Sequence, residues 1–403
     1  MGWLKGLLWR LLSPRADLGQ LATSEARELP GRRLRARDLL LNPPLVAGAV
    51  VVLALFQLVL FGPLWAPENP YVSGQHIVPH YDVSRGESVQ PPLPPSEEHP
   101  LGTDRWGNDL LSLLMHGARN TLVACAFITT VRVLLGLVLG ALAGWSEGRT
   151  ADRVVMGLIG VIAAVPTLIG SMVLIYALDI RRGLPVFIFA LSAAGWTEIA
   201  QYVRSEFLLL RKAPYIEGAR TVGLGSFAIA VRHVLPNVVP QLLVIGFLEM
   251  AAVMMLLGEL GFIGVYIGGG SRITIETGAF TPDIATLVEV PEWGAMLADG
   301  YRWLRSKPFV IMPPAFAFFV SVVGFNALGE GLRRLVEKNS LNTAFLLRKR
   351  MLLVIGVLIL STVFVMNNTG PAPWFAKVAS AFSGERALQH VRALTAMRGR
   401  GPG

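Results

Sequence analysis

Seven stretches of this chain are long and apolar enough to constrain it to one kind of fold. A helix that crosses a bilayer needs about 20 mainly apolar residues. Residues 45–65 meet this with no charge between Asp38 and Glu68, residues 122–143 meet it with one charge, Arg132, and residues 154–178 are uncharged throughout. The fourth is weaker, because only 183–197 is charge-free and the helix has to run past Glu198 to about Tyr202. The fifth, 238–257, carries Glu249; the sixth is 309–328 and the seventh 351–366. Apolar residues gathered in blocks, not at amphipathic spacing, exclude an ordinary soluble domain. Charge content agrees, at 16% against roughly 25% in soluble domains. Mean hydropathy is +0.54. The expected fold class is an all-α integral membrane protein.

The formal charge of +9 raises the question of nucleic acid. The basic residues form no stripe interleaved with aromatics, so partners are expected at membrane surfaces instead. Lys and Arg concentrate in cytoplasmic loops. With the N-terminus inside, 21 of the 36 fall on the cytoplasmic side and 13 outside, with Arg119 and Arg132 near or within the second span. This orientation is expected although Arg181 and Arg182 run against it. The lone cysteine, Cys125, lies in an apolar stretch and reads as a small buried hydrophobe, so no disulfide framework or CxxC metal site is available.

At the N-terminus Leu4, Leu7, Leu8 and Leu11 follow i, i+3, i+4, i+7 spacing beside Trp3, Lys5 and Arg10. That pattern predicts a helix lying on the membrane surface, not a signal peptide. Residues 22–38 read as a charged cytoplasmic linker and 66–116 as an ordered, Pro- and Gly-rich excursion on the outer side.

The most informative segment lies between the fourth and fifth spans: Arg211-Lys212-Ala213-Pro214-Tyr215-Ile216-Glu217-Gly218-Ala219-Arg220-Thr221-Val222-Gly223, then nine residues to His233-Val234-Leu235-Pro236. Pro214 suits the first turn of a helix, Gly223 suits a left-handed stop, and Pro236 suits the start of the next span. The residues alone allow either a plain long loop or a helix pair that fits a groove on a soluble partner and moves with it. The spacing resembles the coupling motif of ABC importer permeases, the binding-protein-dependent inner-membrane components. That motif reads Glu-Ala-Ala, three residues, Gly, nine residues, an aliphatic residue, one residue, Leu-Pro. Glu217, Ala219, Gly223, Leu235 and Pro236 fall on it, while Gly218 replaces the first Ala and His233 the aliphatic residue.

Further motifs resemble the dipeptide, oligopeptide and nickel branch, in particular the shorter-looped of its paired subunits. His99-Pro100-Leu101-Gly102-Thr103-Asp104-Arg105-Trp106-Gly107-Asn108-Asp109 and His116-Gly117-Ala118-Arg119 resemble the lead into its second span, with Asn108 where Arg is usual. From the residues, this is a turn capped by Thr103 and Asp104 that seats the span. Leu260-Gly261-Phe262-Ile263-Gly264, Pro291-Glu292-Trp293-Gly294 and Gly324-Phe325-Asn326-Ala327-Leu328-Gly329-Glu330 resemble later motifs, with Glu330 where Asp is usual. The outer loop over 266–290 is longer than the resemblance leads one to expect.

The resemblance covers about residues 40–340. It implies a six-span core plus one extra C-terminal span. The division would be a cytoplasmic segment at 1–42, a first span at 43–66, an extracytoplasmic loop at 67–117 and a permease core at 118–340 with its coupling loop at 203–237. An extra span at 341–366 and an external tail at 367–403 would follow. The implied function is the permease subunit of an ATP-driven importer for peptides, not an enzyme and without a cofactor. The implied partners are a homologous permease subunit, two cytoplasmic ABC ATPases, an extracytoplasmic solute-binding protein and membrane lipid, with no nucleic acid. The implied location is the bacterial inner membrane.

No GxxxxGK[ST] phosphate loop occurs. His76 and His80 are four apart, but a helix is not expected in their Pro-rich loop and no acidic third ligand is placed, so no metal site is assigned. Arg132 and Glu249 are ionisable residues inside spans, which are functional hypotheses by default. Each can line a translocation path, pair with a neighbouring helix or snorkel to an interface. They also define an alternative class, an ion-coupled secondary transporter. Finally, residues 382–394 read as an amphipathic helix with Ser383 as a candidate cap, leading into Arg398-Gly399-Arg400-Gly401-Pro402-Gly403. This tail resembles the opening of extracytoplasmic di-zinc aminopeptidases, which implies a truncated permease-peptidase fusion in which this chain is the anchor. An unrelated short tail fits equally.

Overall fold

The computed structural model describes residues 41–339, apart from 69, 71–79, 83–86, 90, 270, 276–282 and 288–290. The N-terminal surface helix, His76, the seventh span and the C-terminal tail lie outside the described residues. Helix α1 spans Pro43–Trp65 and α2 Leu110–Trp145. A bent pair follows, α3 (Thr150–Ala163) and α4 (Thr167–Ala177), then a second pair, α5 (Leu184–Gly195) and α6 (Thr197–Leu210). The short α7 is Pro214–Thr221. Helix α8 runs from Ser226 to Phe262 through a π-helical turn at Ala230–Val234. Helices α9 (Trp293–Tyr301) and α10 (Met312–Asn339) complete the described set. Two short antiparallel pairs sit in connecting segments: β1 (His80–Asp82) with β2 (Glu87–Val89), and β3 (Ser271–Ile275) with β4 (Asp283–Leu287).

Four helices are long and apolar enough to cross a membrane alone, and the two bent pairs bring the total to six among the described residues. The first expected span corresponds to α1; the fifth and sixth overlap α8 and α10, although α8 starts twelve residues before the expected 238 and α10 runs eleven past the expected 328. The second differs, because α2 starts twelve residues before the expected 122. Hydropathy misses this start, where His116, Arg119 and Asn120 intervene, but its cap is local chemistry. Asp109 accepts hydrogen bonds from the backbone N–H and the hydroxyl of Ser112 at 2.8 and 2.7 Å, satisfying an otherwise unpaired donor of the first turn. At 36 residues and 1.5 Å per residue the helix is about 54 Å long.

The third and fourth spans are broken where the sequence reading ran them straight. Pro166 carries no N–H and stands between α3 and α4, which meet at 92°. The fourth bends by 47° at Trp196, after Gly195. Helix α1 lies along α10, where the side-chain amide of buried Asn42 donates to the Gly331 carbonyl at 2.8 Å. Helix α2 lies along α6 through Gly136, Gly140 and Gly144. A Cβ on any of them would sit 2.5 to 2.6 Å from Ile199, the Ala200 carbonyl or Phe207. Three small residues at a spacing of four let two backbones approach closely, which in lipid replaces the hydrophobic drive that lipid cannot supply.

Candidate functional site

The segment between the fourth and fifth spans forms a defined helix with defined ends. Pro214 occupies its first turn, as its fixed φ favours. At the other end Gly223 has φ +90°, its N–H donates to the Arg220 carbonyl at 2.9 Å, and the Leu224 N–H donates to the Ala219 carbonyl at 3.1 Å. This pair of bonds is a Schellman cap, which terminates the helix and satisfies two of its last carbonyls. Helix α7 is thus one compact turn-bounded rod of eight residues.

One face of the rod is anchored. Ile216 is fully buried and Ala219 nearly so, packed with Val203 and Phe207 of α6 and with Ile229, Val234, Val238 and Leu242 of α8. Burying one such aliphatic side chain contributes roughly 1.5–3 kcal/mol. The remaining faces are open. Glu217 and Gly218 are exposed, and so are three large apolar or aromatic residues, Tyr215, Val222 and Phe227, the last at 82%. His233 lies half-buried in the π-helical turn, and Leu235 and Pro236 half-buried at the start of the regular part of α8. The motif residues therefore split into two groups: Glu217, Gly218 and Gly223 on the open side, and Ala219 within the packed face. His233, Leu235 and Pro236 build the joint to α8.

The α2–α3 turn clamps this region with residues the sequence reading did not single out. Asp152 accepts both Nε and Nη2 of Arg204 at 2.7 and 3.0 Å, a forked, directional pairing. Arg211 donates to the Trp145 carbonyl at 3.0 Å and to Glu147 at 2.6 Å, and the Arg220 guanidinium lies 5.9 Å from the Trp145 ring centre. The charge pairs join residues more than fifty positions apart, so spacing carries no sign of them. The glycine stripe at 136, 140 and 144 was visible as a spacing of four.

Arg132 and Glu249 are brought together. Arg132 is 3% exposed, and its Nη1 donates to Glu249 Oε1 at 2.5 Å while its Nε donates to the Leu191 carbonyl at 2.9 Å. Of the three roles open to them from sequence, the structure displays pairing between neighbouring helices.

At the opposite end of the bundle, the motifs at 116–119 and 260–264 meet the one at 291–294 around Trp293, whereas that at 324–330 packs against α1 and α8. This residue is fully buried; its indole N–H donates to the Leu114 carbonyl at 2.9 Å and its backbone N–H to the Thr121 hydroxyl at 3.0 Å. Its ring meets Phe318 edge-on, with centroids 5.7 Å apart. Asn120 donates to the Pro291 carbonyl at 2.6 Å, and buried Glu292 accepts from the Ile267 N–H at 3.0 Å. Burial raises the Glu292 carboxyl to about 7, and that of Asp104 to about 6. Asp104 shapes the 99–109 turn by accepting the N–H groups of Trp106 and Asn108 and the Asn108 side-chain amide, each at 2.8 Å. Thr103 instead accepts from the Leu93 N–H. The turn seats α2, as expected, while the helix cap itself is Asp109. Cys125 is buried, as its apolar surroundings predicted.

Comparison with known proteins adds a family. The pattern described as the binding-protein-dependent transport system inner membrane component matches residues 136–342. The probable D,D-dipeptide transport system permease protein DdpC of Escherichia coli K12 is 28% identical over 299 residues, covering 73% of this chain and 88% of the relative. The glutathione transport system permease protein GsiD of Pectobacterium atrosepticum is 32% identical over 239 residues, 59% of this chain and 72% of the relative. The nickel transport system permease protein NikC of Escherichia coli K12 is 28% identical over 289 residues, 71% of this chain and 91% of the relative. All three are named as permeases of transport systems, which favours neither the ion-coupled reading nor the peptidase anchor.

Proposed function

The chain belongs to the family of binding-protein-dependent transport system inner membrane components, and from that premise we propose that it carries peptides inward as one half of a paired permease driven by two cytoplasmic ABC ATPases. It is a permease subunit of an ABC importer, a multi-pass protein of the inner membrane. An extracytoplasmic binding protein delivers the solute to the Trp293 end, and the α7 end faces the cytoplasm. The N-terminus is cytoplasmic and the C-terminus extracytoplasmic after a seventh span. The division of the chain into N-terminal segment, first span, external loop, core and extra span belongs to the same reading.

The observation that carries the coupling role is the two-faced state of α7. Ile216 and Ala219 fix it to α6 and α8, while Tyr215, Glu217, Gly218 and Val222 are exposed on a helix with rigid ends. A soluble ATPase docked on the open face would move α7 as a body. Its anchored face, with Gly223 as the stop and His233, Leu235 and Pro236 as the joint, would pass that movement to the spans. Alternating access then follows from changes at the two bends, with solute released inward.

Replacing Gly223 with Val tests this. A β-branched residue in a left-handed conformation costs about 1–2 kcal/mol, and nothing lies within 4 Å of a Cβ there, so the strain is purely of the backbone. Membrane insertion is expected to persist. ATP hydrolysis by the reconstituted complex is expected to lose its stimulation by loaded binding protein, and uptake is expected to fall. Normal coupled uptake in this variant would remove the coupling role from α7.

A further inference from the structure

Three spans meet at one guanidinium. Arg132 lies near the middle of α2, donating from Nε to the Leu191 carbonyl of α5 and from Nη1 to Glu249 of α8. Beside it, the Ser192 hydroxyl donates to the Ile128 carbonyl at 3.4 Å, so two successive residues of α5 are tied to α2. The ties fall at the end of α5. Gly195, its last residue, lies so close to the guanidinium that a Cβ there would run into Arg132 Cζ. The next residue, Trp196, is where the fourth span bends into α6.

Two features separate this arrangement from a pair that only holds helices together. Among the described residues, Nη2 of Arg132 is buried and makes no hydrogen bond. A buried donor left unpaired is costly, and native structures carry few of them. The state observed therefore leaves one donor for another arrangement of the same groups to satisfy. In addition, the three partners differ in mechanical character: α2 and α8 are continuous, and α5 is one half of a bent span. A change of bend at Trp196 shifts the Leu191 carbonyl relative to Glu249, and one guanidinium cannot follow both.

We propose that Arg132 is a positioning residue of the transport cycle: holding Leu191 of α5 and Glu249 of α8 on one guanidinium beside the Trp196 bend, it fixes that bend in one of two settings, and the setting changes when the Arg132–Glu249 pair parts. The proposal rests on the chain being the permease of an ATP-driven importer, but not on α7 as the element that receives the ATPase movement. Loss of coupling in Gly223→Val alongside normal coupling in every Arg132 variant would sink this proposal and spare the role of α7; the reverse pattern would do the opposite.

The test uses the full chain assembled with its partner subunits in proteoliposomes, reading ATP hydrolysis with and without loaded binding protein, and solute uptake. Two variants are compared, Arg132→Lys and the double Arg132→Met, Glu249→Met. A lysine keeps the charge but presents a compact ammonium that cannot serve both partners in fork geometry. An ion pair that is only structural is often replaced by packed apolar residues without loss. Both variants are expected to assemble, with stimulation by binding protein falling at least about fivefold, within the usual range of coupling between sites. Basal hydrolysis should rise as the bend loses its setting. Stimulation and uptake of wild-type size in either variant would overturn the proposal. So would failure of both to assemble, since the pair would then serve folding and not the cycle.

Discussion

At the Trp293 end of the bundle, both N–H groups of the tryptophan find partners within the chain. The Trp293 indole and backbone, the Asn120 amide and the Glu292 carboxyl all reach partners far away in sequence, and the tryptophan side chain is wholly enclosed. At the α7 end, packing holds only one side. Ile216 is enclosed while Tyr215, Val222 and Phe227, one, six and eleven positions from it, stand open. Both ends are reinforced by polar ties: mostly neutral N–H donors around Trp293, with Arg105 paired to Asp299 of the same helix, and guanidinium groups at the other end, where Arg204 forks onto Asp152 and Arg211 donates to Glu147. The contrast teaches where this chain is self-sufficient. A side chain enclosed by its own protein reports on folding, whereas an apolar side chain left in water beside a rigid anchor reports on something that covers it.

The sharpest way to break that contrast is Trp293→Ala. Three helices lose their shared contact, and large buried aromatics cost about 3–5 kcal/mol when truncated. A large fall in thermal stability of the detergent-solubilised chain is expected; a small one would mean that the Trp293 end is looser than its contacts imply. Glu292→Gln comes next. The carboxyl rises from 4.5 to about 7 because burial penalises its charged form, so the folded state binds its proton more tightly than the unfolded chain does. Its stabilising contribution is therefore complete below about pH 4.5 and is lost as pH rises through about 7. Unfolding measured across that window should show stability declining in the wild type, with the decline reduced in the glutamine variant.

A smaller effect is expected from Gly140→Leu. A Cβ there would press on the Ala200 carbonyl, and overpacking of this kind typically costs about 1–3 kcal/mol. Chemical denaturation would register the loss, and an unchanged midpoint would show that α2 and α6 can separate freely. The smallest effect is expected at the open end. Phe227→Ser should leave the stability of the isolated chain within about 0.5 kcal/mol, as surface changes usually do, while weakening copurification with ATPase subunits. Unchanged copurification would dissociate the exposed face from docking.

Much of this architecture is legible in the sequence, for identifiable reasons. Residues 45–65 are apolar all round and contain no breaker until Pro63, so length and hydropathy suffice for α1. Pro214 and Gly223 sit where local chemistry demands them at the two ends of α7, so a spacing pattern led to a helix of definite extent. The bends are different. A hydropathy window over 154–178 averages across Pro166 and is blind to direction, although the proline itself was a sign. The fifty-four-ångström reach of α2, estimated at about 1.5 Å per residue, was obscured because polar residues before 122 lower the window while Asp109 still caps the helix. The meeting of Arg132 with Glu249 was open only as one of several roles. Their partnership depends on how three spans pack, and two residues 117 positions apart carry no local mark of it.

The unbroken course of α2 sets the timing between the two ends. Leu114 and Thr121 near its start hold Trp293, Arg132 in its middle holds Leu191 and Glu249, and Trp145 at its close accepts from Arg211. All of these lie on one helix, where each residue advances the face by about 100°. They are therefore locked in phase, like cams on a shaft. A single residue inserted between Leu122 and Gly136 would leave every local contact type available, yet would turn one end's contacts about a quarter-turn out of step with the other's.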